Sequence, residues 1–537
     1  MTLEPEGATP GPVGPRDAAV RRWFLTAGER GNPGTSLDRR HCDGLAWSTG
    51  NHVRALVDGA AYFAELHAAV EAMGSGDLLL FTDWRSDPDE RLSGPGSEVG
   101  SVFAAAARRG VDVRGLVWRS HLDQLNFSAS TNRAFGDEIE AAGGQCLLDM
   151  RVRRLGSHHQ KLVVLRHARH PEGDVAYIGG IDLCHGRRDD GDHRGDPQGE
   201  PMAAVYGPRP PWHDVQLAVQ GPAVGDAETV FRERWDDPAP LSRSPLRILG
   251  DVLRGQDRSA RPMPPQHADP APCGSAAVQL LRTYPNRTPG YPFAPQGELS
   301  VARGYRKALA RAQSLIYIED QYLWSVDVAR VFAEALARRP ALRLIVVIPR
   351  FPDQDGRSSM PPNLLGREEA MRLLRAAGGP RVAVYSIENQ GGTPVYVHAK
   401  VCVIDDTWAC VGSDNANRRS WTHDSELSCA VVDAGSDLSD SWARSLRHAL
   451  SREHLGADAD LAELSDPVRS FDAFRRSAVD LDDWHRRGRR GPRPPGQLRT
   501  YSQPALSPWT RAWAAPLYRM LYDPDGRPAW KRWASRF

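Results

Sequence analysis

Two short stretches of the chain carry the same motif and decide the fold. Residues 157–165 read Ser-His-His-Gln-Lys-Leu-Val-Val-Leu, and residues 397–405 read Val-His-Ala-Lys-Val-Cys-Val-Ile-Asp. In each, a histidine and a lysine stand two residues apart at the start of an apolar run typical of a β-strand. Side chains at positions i and i+2 of a strand point to the same side of the sheet. Each motif therefore places an imidazole and an ammonium group together at one end of a strand.

The elements around the two motifs repeat in the same order. In each half a helical segment leads to a short apolar strand, which begins at Leu78 in the first half and at Leu315 in the second. Helices then alternate with strands until the motif is reached. From Leu78 to His159 is 81 residues, and from Leu315 to His398 is 83 residues. This alternation and spacing predict an α/β protein built from two tandem, similar α-β-α sandwich domains.

Composition divides the chain into five predicted segments. Proline-rich runs without periodicity indicate a linker, and low hydrophobicity indicates a disordered start. The predicted segments are a disordered N-terminus at 1–20, a first domain at 21–237, a linker at 238–275, a second domain at 276–455 and a C-terminal extension at 456–537. A further irregular stretch at 185–211 follows the first motif, and we expect it to form a loop over the site.

The overall charge and the apolar runs limit the class of protein. The 537 residues include 68 Lys+Arg and 67 Asp+Glu, a balance that argues against a generally polybasic nucleic-acid binder. No apolar run approaches the ~18 residues of a membrane span. The N-terminus lacks the basic start and the apolar stretch of a signal peptide, and the seven cysteines contain no C-x-x-C pair. These features predict a cytoplasmic protein, which we expect to be monomeric.

The residue types in the two motifs favour phosphodiester chemistry. The ammonium groups of Lys161 and Lys400 can neutralise the non-bridging oxygens of a phosphodiester without a metal. Of the imidazoles of His159 and His398, one can attack phosphorus while the other protonates the leaving alcohol. The sequence contains no H-E-x-x-H motif, no zinc-type Cys/His spacing and no G-x-x-x-x-G-K-[ST] loop. We therefore expect neither a metal nor another cofactor.

Each motif strand is followed by a second strand, and a small polar turn comes at the end of that second strand. Residues 179–182 read Gly-Gly-Ile-Asp, and residues 412–415 read Gly-Ser-Asp-Asn. We expect Asp182, Ser413 and Asn415 to orient the phosphate or a histidine. Simple turn formation would also account for these residue types.

Carboxylates further along the chain are candidate partners of the histidines. The block His-Asp-Val-Gln-Leu at 213–217 aligns by sequence with His-Asp-Ser-Glu-Leu at 423–427. A catalytic imidazole needs a carboxylate that fixes its tautomer and raises its basicity. The candidates are Asp214, Asp424 and Glu426, and this alignment pairs Asp214 with Asp424.

These motifs are similar to those of the phospholipase D superfamily. The similarity rests on the two H-x-K motifs, the two polar turns, Pro-Trp-His-Asp at 211–214 and Ile-Tyr-Ile-Glu-Asp-Gln-Tyr at 316–322, and it covers about residues 45–455. It is closest to the phospholipases D that carry two motifs. The resemblance implies that the two halves pack as a pseudo-dimer with one shared active site. It also implies a phosphohistidine intermediate and no metal.

The resemblance assigns roles to individual residues. It implies His159 as the nucleophile and His398 as the general acid. The second motif matches in full, so Asp405 is counted with the catalytic motif, although the family's carboxylate at this position is a structural one. The first motif departs from the pattern, because Arg166 stands where the family has Asp. Asp174 is a candidate substitute partner, and the site is either active or weakened to a binding site.

The segment 486–537 combines arginines with aromatic residues. This composition is typical of a lipid interface, of an extension that wraps the core, or of a nucleic-acid contact.

Residues and resemblance together favour a metal-independent phosphodiesterase that hydrolyses or transphosphatidylates phospholipids. The alternatives are a cardiolipin synthase-like phosphatidyltransferase, a nuclease of the superfamily, and a phosphate- or lipid-binding protein with weakened catalysis.

Overall fold

A continuous sheet of 16 strands runs through both halves of the chain. The computed structural model describes residues 15–41, 44–121, 129–356, 360–433, 441–502 and 505–528. The strands of the first half are β1 (Ser48–Val57), β2 (Leu78–Asp83), β3 (Asp112–Trp118), β4 (Gln145–Asp149), β5 (Leu162–Arg166), β6 (Val175–Gly179), β7 (Trp212–His213) and β8 (Val215–Gln220). The later strands are β9 (Ala276–Tyr284), β10 (Glu298–Leu299), β11 (Leu315–Asp320), β12 (Arg343–Val347), β13 (Val382–Ile387), β14 (Tyr396–Val397), β15 (Lys400–Ile404), β16 (Trp408–Gly412), β17 (Glu426–Asp433) and β18 (Leu498–Thr500).

The strand order is the same in the two halves. It runs β4-β3-β2-β5-β6-β8-β1 in the first half and β13-β12-β11-β15-β16-β17-β9 in the second. The innermost strands, β1 and β9, pair antiparallel with each other, which joins the halves about a central pseudo-two-fold axis. β7 and β14 form a separate parallel pair, one strand from each half. The predicted duplicated α/β fold is therefore confirmed, and the two halves form the expected pseudo-dimer.

Fifteen α-helices among the described residues cover the two faces of the sheet. They are α1 (Pro15–Trp23), α2 (Ala27–Arg30), α3 (Gly59–Glu71), α4 (Val99–Arg108), α5 (Ala129–Ala141), α6 (Ala223–Trp235), α7 (Pro245–Arg254), α8 (Ser300–Leu309), α9 (Val326–Arg338), α10 (Met360–Gly378), α11 (Arg418–Thr422), α12 (Trp442–Leu455), α13 (Leu461–Ser465), α14 (Pro467–Arg486) and α15 (Pro508–Leu517).

The hydrophobic core has one layer common to both halves and two separate layers. On one face of the sheet, α6 of the first half and α12 and α14 of the second pack in a single apolar cluster. On the other face, α3, α4 and α5 cover the first half, whereas α8, α9 and α10 cover the second. Because helices cover both faces, the motif strands β5 and β15 are buried along their whole length, as their largely apolar sequences predict.

The N-terminal segment packs against the opposite half of the molecule. Helix α1 covers part of the predicted disordered stretch, and residues 1–14 lie outside the described residues. Val20 and Phe24 join the core of the second half, and the buried guanidinium of Arg30 pairs with Glu298 at 2.8 Å. These contacts correct the predicted boundary at residue 21, because residues 20–30 pack against the second half. The chain returns to the first half before β1, where Arg40 pairs with Asp226 of α6.

The linker and the C-terminal extension both contain regular structure. Helix α7 lies within the predicted linker. Strand β18 extends the sheet beside β13, and α15 packs on α10. The described part of the segment 486–537 therefore wraps the second half, one of the three expected arrangements, while residues 529–537 lie outside the described part. None of the helices within the described ranges has the length and apolarity that a membrane crossing requires.

Candidate active site

The two H-x-K segments are each held by the opposite half of the molecule. The backbone N–H of His159 donates to the carbonyl of Ser425 at 2.9 Å, and the N–H of His398 donates to the carbonyl of His213 at 2.7 Å. His213 ends β7, and Ser425 directly precedes β17. Each motif thus meets the residue directly before the other half's carboxylate, which is Asp214 in the first half and Glu426 in the second. This reciprocal contact brings both histidines to one place, as the resemblance implies.

The carboxylate of each half orients the histidine of the other. Nδ1 of His159 lies 2.9 Å from Oε2 of Glu426, and Nδ1 of His398 lies 2.6 Å from Oδ2 of Asp214. Both carboxylates are buried, and the His159 and His398 side chains are 15% and 7% exposed. Because Nδ1 is engaged in each ring, Nε2 is the nitrogen that each ring offers to a substrate.

The sheet register corrects the sequence alignment of the carboxylates. The N–H of Gly180 donates to the carbonyl of Val215, and the equivalent N–H of Ser413 donates to the carbonyl of Leu427. Position 215 therefore corresponds to 427, so Asp214 corresponds to Glu426. The predicted match of Asp214 with Asp424 is wrong by two residues.

Asp424 binds the backbone before the first motif and, within the described part of the chain, has no hydrogen bond to a histidine. Its Oδ1 accepts the N–H of Ser157 at 2.8 Å, and its carboxylate pairs with Arg419 at 2.6 Å. The predicted role as a histidine partner is therefore corrected to one of holding the loop that leads to His159.

The two lysines stand in different electrostatic surroundings. Nζ of Lys161 pairs with Oδ1 of Asp182 at 2.9 Å. Nζ of Lys400 instead faces the neutral amide of Gln321 at 3.3 Å and donates to the carbonyl of His398. Burial lowers the pKa of Lys400 to about 8, although nearby carboxylates, Asp214 first among them, oppose the shift. Lys400 is thus the lysine whose charge is left for an incoming anion to balance.

The predicted turn residues lie at the site in three different ways. Asp182 binds Lys161, and the hydroxyl of Ser413 donates to Glu426 at 2.5 Å, next to His159. The side-chain oxygen of Asn415 is buried without a hydrogen-bond partner among the described residues. This oxygen is a hydrogen-bond acceptor and cannot bond to a phosphate oxygen, so the expected role of Asn415 in orienting the phosphate stays a prediction.

Asp405 and Arg166 lie away from the chemistry, at the far ends of the motif strands. The Asp405 carboxylate accepts the backbone N–H groups of residues 313, 314 and 315 at 2.7–2.9 Å. Arg166 is buried, with Nε 3.3 Å from both Asp174 and Glu228 and Nη2 donating to a linker carbonyl at 2.6 Å. Counting Asp405 with the catalytic residues is therefore corrected, because it fixes the loop before β11. Arg166 replaces the family's Asp, and its buried charge is balanced by Asp174, the predicted partner, and by Glu228.

Both histidines are neutral in the free site. Burial, reinforced by the ammonium of Lys161, holds the pKa of His159 well below its usual range. Burial, with Lys400 and then Arg187, does the same to the pKa of His398. Burial also raises the pKa of Glu426 to about 8. A neutral His159 is competent to attack phosphorus, and the cations around both rings favour an anionic ligand.

Arg187 and Trp212 belong to the site. The sequence motifs did not identify Arg187, and they included Trp212, in Pro-Trp-His-Asp at 211–214, without giving it a role. The Arg187 guanidinium lies 3.9 Å from the centre of the Trp212 ring, and that ring is 4.9 Å from the His398 ring. Nε of Arg187 has no hydrogen-bond partner among the described residues. Arg187 lies in the irregular stretch 185–211, where a sequence pattern gives no position in space. That stretch also reaches the second half, since the N–H of Ala203 donates to the carbonyl of Asp353 at 2.8 Å.

A buried network centred on His213 supports the strand segment that holds His398. Nδ1 of His213 is 3.1 Å from Asp58 and 2.9 Å from Glu453, and Nε2 is 2.7 Å from Glu319. Burial alone would lower the pKa of His213, but the facing carboxylates of Glu453 and Glu319 raise it well above its usual value. Two overlapping groups here have ligand atoms close enough together for a metal ion: Asp58, His193, His213 and Glu453, and His213, Glu319 and His454. Here they form direct hydrogen-bonded pairs between an imidazolium and its carboxylates.

Comparison with known proteins agrees with this geometry. The family model described as "Phospholipase D" matches residues 87–328, and the model described as "Cardiolipin synthase, PLD-like domain" matches residues 305–449. "Phospholipase D1" of Saccharomyces cerevisiae is 24% identical over 80% of this chain and 30% of its own length. "Phospholipase D alpha 1" of Cynara cardunculus is 25% identical over 69% of this chain and 60% of its own length. The chain thus spans about a third to three-fifths of the length of these relatives.

A solved structure shares the fold. The phosphatidylserine synthase of Haemophilus influenzae superposes with a TM-score of 0.50 at 13% identity, over 81% of this chain and 93% of that one. Two matched family models and the duplicated sheet lead to one assignment. The chain belongs to the phospholipase D superfamily and contains two phospholipase D-like domains.

Proposed function

We propose that this phosphodiesterase acts on phospholipids and transfers the phosphatidyl group through a covalent histidine intermediate. The observation that carries the proposal is the crossed pair of imidazole–carboxylate contacts, His159 with Glu426 and His398 with Asp214. Two lysines accompany these rings, so one site combines two proton carriers with two cations. This is what an in-line displacement at a phosphodiester requires.

The reaction has two displacements at phosphorus. In the first, Nε2 of His159 forms a bond to phosphorus while the bond to the head-group oxygen breaks, and Nε2–H of His398 gives its proton to that oxygen. In the second, His398 takes a proton from water, the oxygen attacks phosphorus, and the bond to His159 breaks. The products are the head-group alcohol and phosphatidic acid. Lys161 and Lys400 hold the non-bridging oxygens through both steps.

The anionic substrate itself prepares the general acid. In the free site burial and nearby cations hold the pKa of His398 well below its usual range. A bound phosphodiester adds a negative charge beside the ring and offsets Lys400 and Arg187. This change raises the pKa of His398 and favours proton uptake as substrate binds. His159 remains neutral in the same complex when Glu426 keeps its proton, since burial raises the pKa of that carboxyl group to about 8.

An alcohol in place of water turns the same intermediate into a phosphatidyltransferase. The match of residues 305–449 to a family model described for cardiolipin synthase favours this second candidate function. The two candidates share the first displacement and differ in the acceptor. A single assay with water and with an added alcohol therefore measures both.

The test is release of the head group from phospholipid vesicles in EDTA, with and without ethanol. We expect wild-type turnover with phosphatidylethanol formed in ethanol, and a loss of about 10³-fold or more in His159→Ala and in His398→Ala. His170→Ala is the control, because this histidine is exposed on a loop. Absence of turnover by the wild type on lipid, with cleavage of DNA or RNA instead, would replace this proposal by a nuclease. Binding of lipid without turnover would identify a binding protein.

A further inference from the structure

Helix α7 exposes apolar side chains that an ordinary surface helix would turn toward the core. Four of the twelve exposed large apolar side chains of the described residues lie on this one helix. They are Leu246, Leu249, Val252 and Leu253, which are 82%, 56%, 52% and 77% exposed. Positions 246, 249 and 253 follow the i, i+3, i+7 spacing of a single stripe, and 252 adjoins it. A surface helix normally turns such a stripe toward the core, but here it faces outward.

Charged groups hold the inner face of α7 against the body. Asp251 is the buried residue of the helix, and its carboxylate receives both guanidinium nitrogens of Arg119, one at 2.6 Å. One turn earlier, Arg247 donates to the backbone carbonyl of His121. Just before the helix, Arg243 donates to the carbonyl of Thr288 at 2.7 Å. The orientation of the apolar stripe is therefore fixed by polar contacts on the opposite side of the helix.

The helix stands at the rim of the active site, on the side of His159. The ring of His121, whose carbonyl binds α7, lies 2.9 Å from the carbonyl of Gly156, three residues before His159. Trp118, which precedes Arg119, stacks on Trp84 with 5.6 Å between the ring centres. Trp84 in turn meets the His159 ring edge-on, with 6.1 Å between the ring centres. Only a short chain of contacts separates the exposed stripe from the nucleophile.

The same rim carries further apolar groups. Leu155 and Leu521 are 46% and 45% exposed. The guanidinium of Arg419 joins them, because it donates to the carbonyls of both residues at 2.8 and 2.9 Å. Exposed arginines stand beside both ends of α7, at positions 243, 254 and 258. Aliphatic side chains flanked by arginines fit an anionic phospholipid surface, where the chains insert at the acyl boundary and the guanidinium groups meet phosphates.

We infer that the outer face of α7, together with Leu155 and Leu521, docks on an anionic phospholipid bilayer and sets the mouth of the active site against it. The inference rests on the proposed function in that it takes phospholipid as the substrate. It adds the docking element and its place at the His159 side of the entrance.

The test is binding of the full-length protein to vesicles, measured by sedimentation in a His159→Ala background so that turnover does not alter the lipid. The variant is Leu246→Gln, Leu249→Gln and Leu253→Gln combined. The matched control replaces Leu461, Val468 and Val479 by Gln, because these aliphatic residues of α13 and α14 are 42–45% exposed. Vesicles of phosphatidylcholine with phosphatidylglycerol are compared with phosphatidylcholine alone.

We expect the α7 variant to lose about tenfold or more in affinity for the anionic vesicles, and the control variant to bind like the parent. With His159 restored, the ratio of rates on vesicles and on a monomeric short-chain phospholipid should fall in the α7 variant. Equal vesicle binding by all three proteins would overturn the inference. A parent dimer that becomes a monomer in the α7 variant would also overturn it, by assigning the face to a second copy. Because vesicle binding is measured without turnover, its result does not depend on whether the wild type shows the proposed activity. The two proposals can therefore fail separately.

Discussion

Replacing Asp214 by Asn removes the charge that holds the general acid, and its effect depends on the leaving group. The Asp214 carboxylate lies 2.6 Å from Nδ1 of His398. With about 4 Å between charge centres and an effective dielectric constant of about 20, the attraction to an imidazolium is about 4 kcal/mol. At about 1.4 kcal/mol per decade this corresponds to about 10³-fold in rate. The Asn amide can also donate to Nδ1, which fixes the proton on Nε2 of a neutral ring; that ring is a far weaker acid than the imidazolium and cannot take a proton from water at Nε2.

The assay compares two phosphodiesters in single-turnover experiments. One has an alkyl alcohol as leaving group, which must be protonated as it departs, and the other has p-nitrophenol, which departs as an anion. We expect Asp214→Asn to slow the first displacement about 10³-fold with the alkyl substrate and much less with the p-nitrophenyl substrate. Glu426→Gln is the matched comparison, because Glu426 serves the nucleophile His159 and its loss should slow both substrates alike. Equal losses with both substrates in Asp214→Asn would refute the assignment of His398 as the general acid.

Three further predictions concern the stability of two variants and the pH dependence of the rate. Asp405→Ala leaves three backbone N–H groups without their acceptor, so it should lower stability by about 1–3 kcal/mol, measured by denaturant unfolding, while the folded protein keeps its activity. Arg166→Met leaves the carboxylates of Asp174 and Glu228 buried without their cation, so a loss of about 3–5 kcal/mol is expected in the same measurement. The pKa of Lys400 is lowered to about 8, and its charged form binds the substrate. The rate should therefore fall as pH rises through about 8, and Lys400→Arg, which stays charged, should show a smaller fall, because Glu426, whose pKa is raised to about 8, still loses its proton there.

Each of these expectations has an outcome that contradicts it. A catalytic loss in folded Asp405→Ala as large as that in His398→Ala would return Asp405 to the chemistry. An Arg166→Met protein as stable as the wild type would show that the cluster around Arg166 does not stabilise this half. An alkaline limb that persists unchanged in Lys400→Arg would belong to another group.

The fold could be predicted from the sequence because its signal is local and duplicated. Each H-x-K pair precedes an apolar strand, and the near-equal spacing of the two motifs indicates two similar halves. The same local patterns identified His159, Lys161, His398 and Lys400. A period-two strand pattern predicts only that each histidine and its own lysine lie on one side of a strand. The meeting of the two pairs in one site was implied by the resemblance, and it depends on how the two halves pack.

The errors arose where the answer depends on contacts between distant segments. The alignment of Asp214 with Asp424 follows the shared His-Asp letters, but the hydrogen-bond register of the sheet pairs Asp214 with Glu426. Arg187 lies in a loop, whose path is set by tertiary contacts and not by periodicity. The outward face of α7 has the same residue pattern as an inward one, so its direction became visible only with the contact between Asp251 and Arg119.

Trapping a covalent adduct on His159 distinguishes the two-displacement mechanism from direct attack by water. In His398→Ala, a p-nitrophenyl phosphatidyl ester can still transfer its phosphatidyl group to His159, but water is no longer activated, so the adduct should accumulate. Rapid quenching, proteolysis and mass spectrometry then locate it. We expect a phosphatidyl adduct on the peptide that contains His159, and none in His159→Ala. An adduct on the His398 peptide of His159→Ala would exchange the two roles, and turnover by the wild type with no adduct on either histidine would contradict the covalent mechanism.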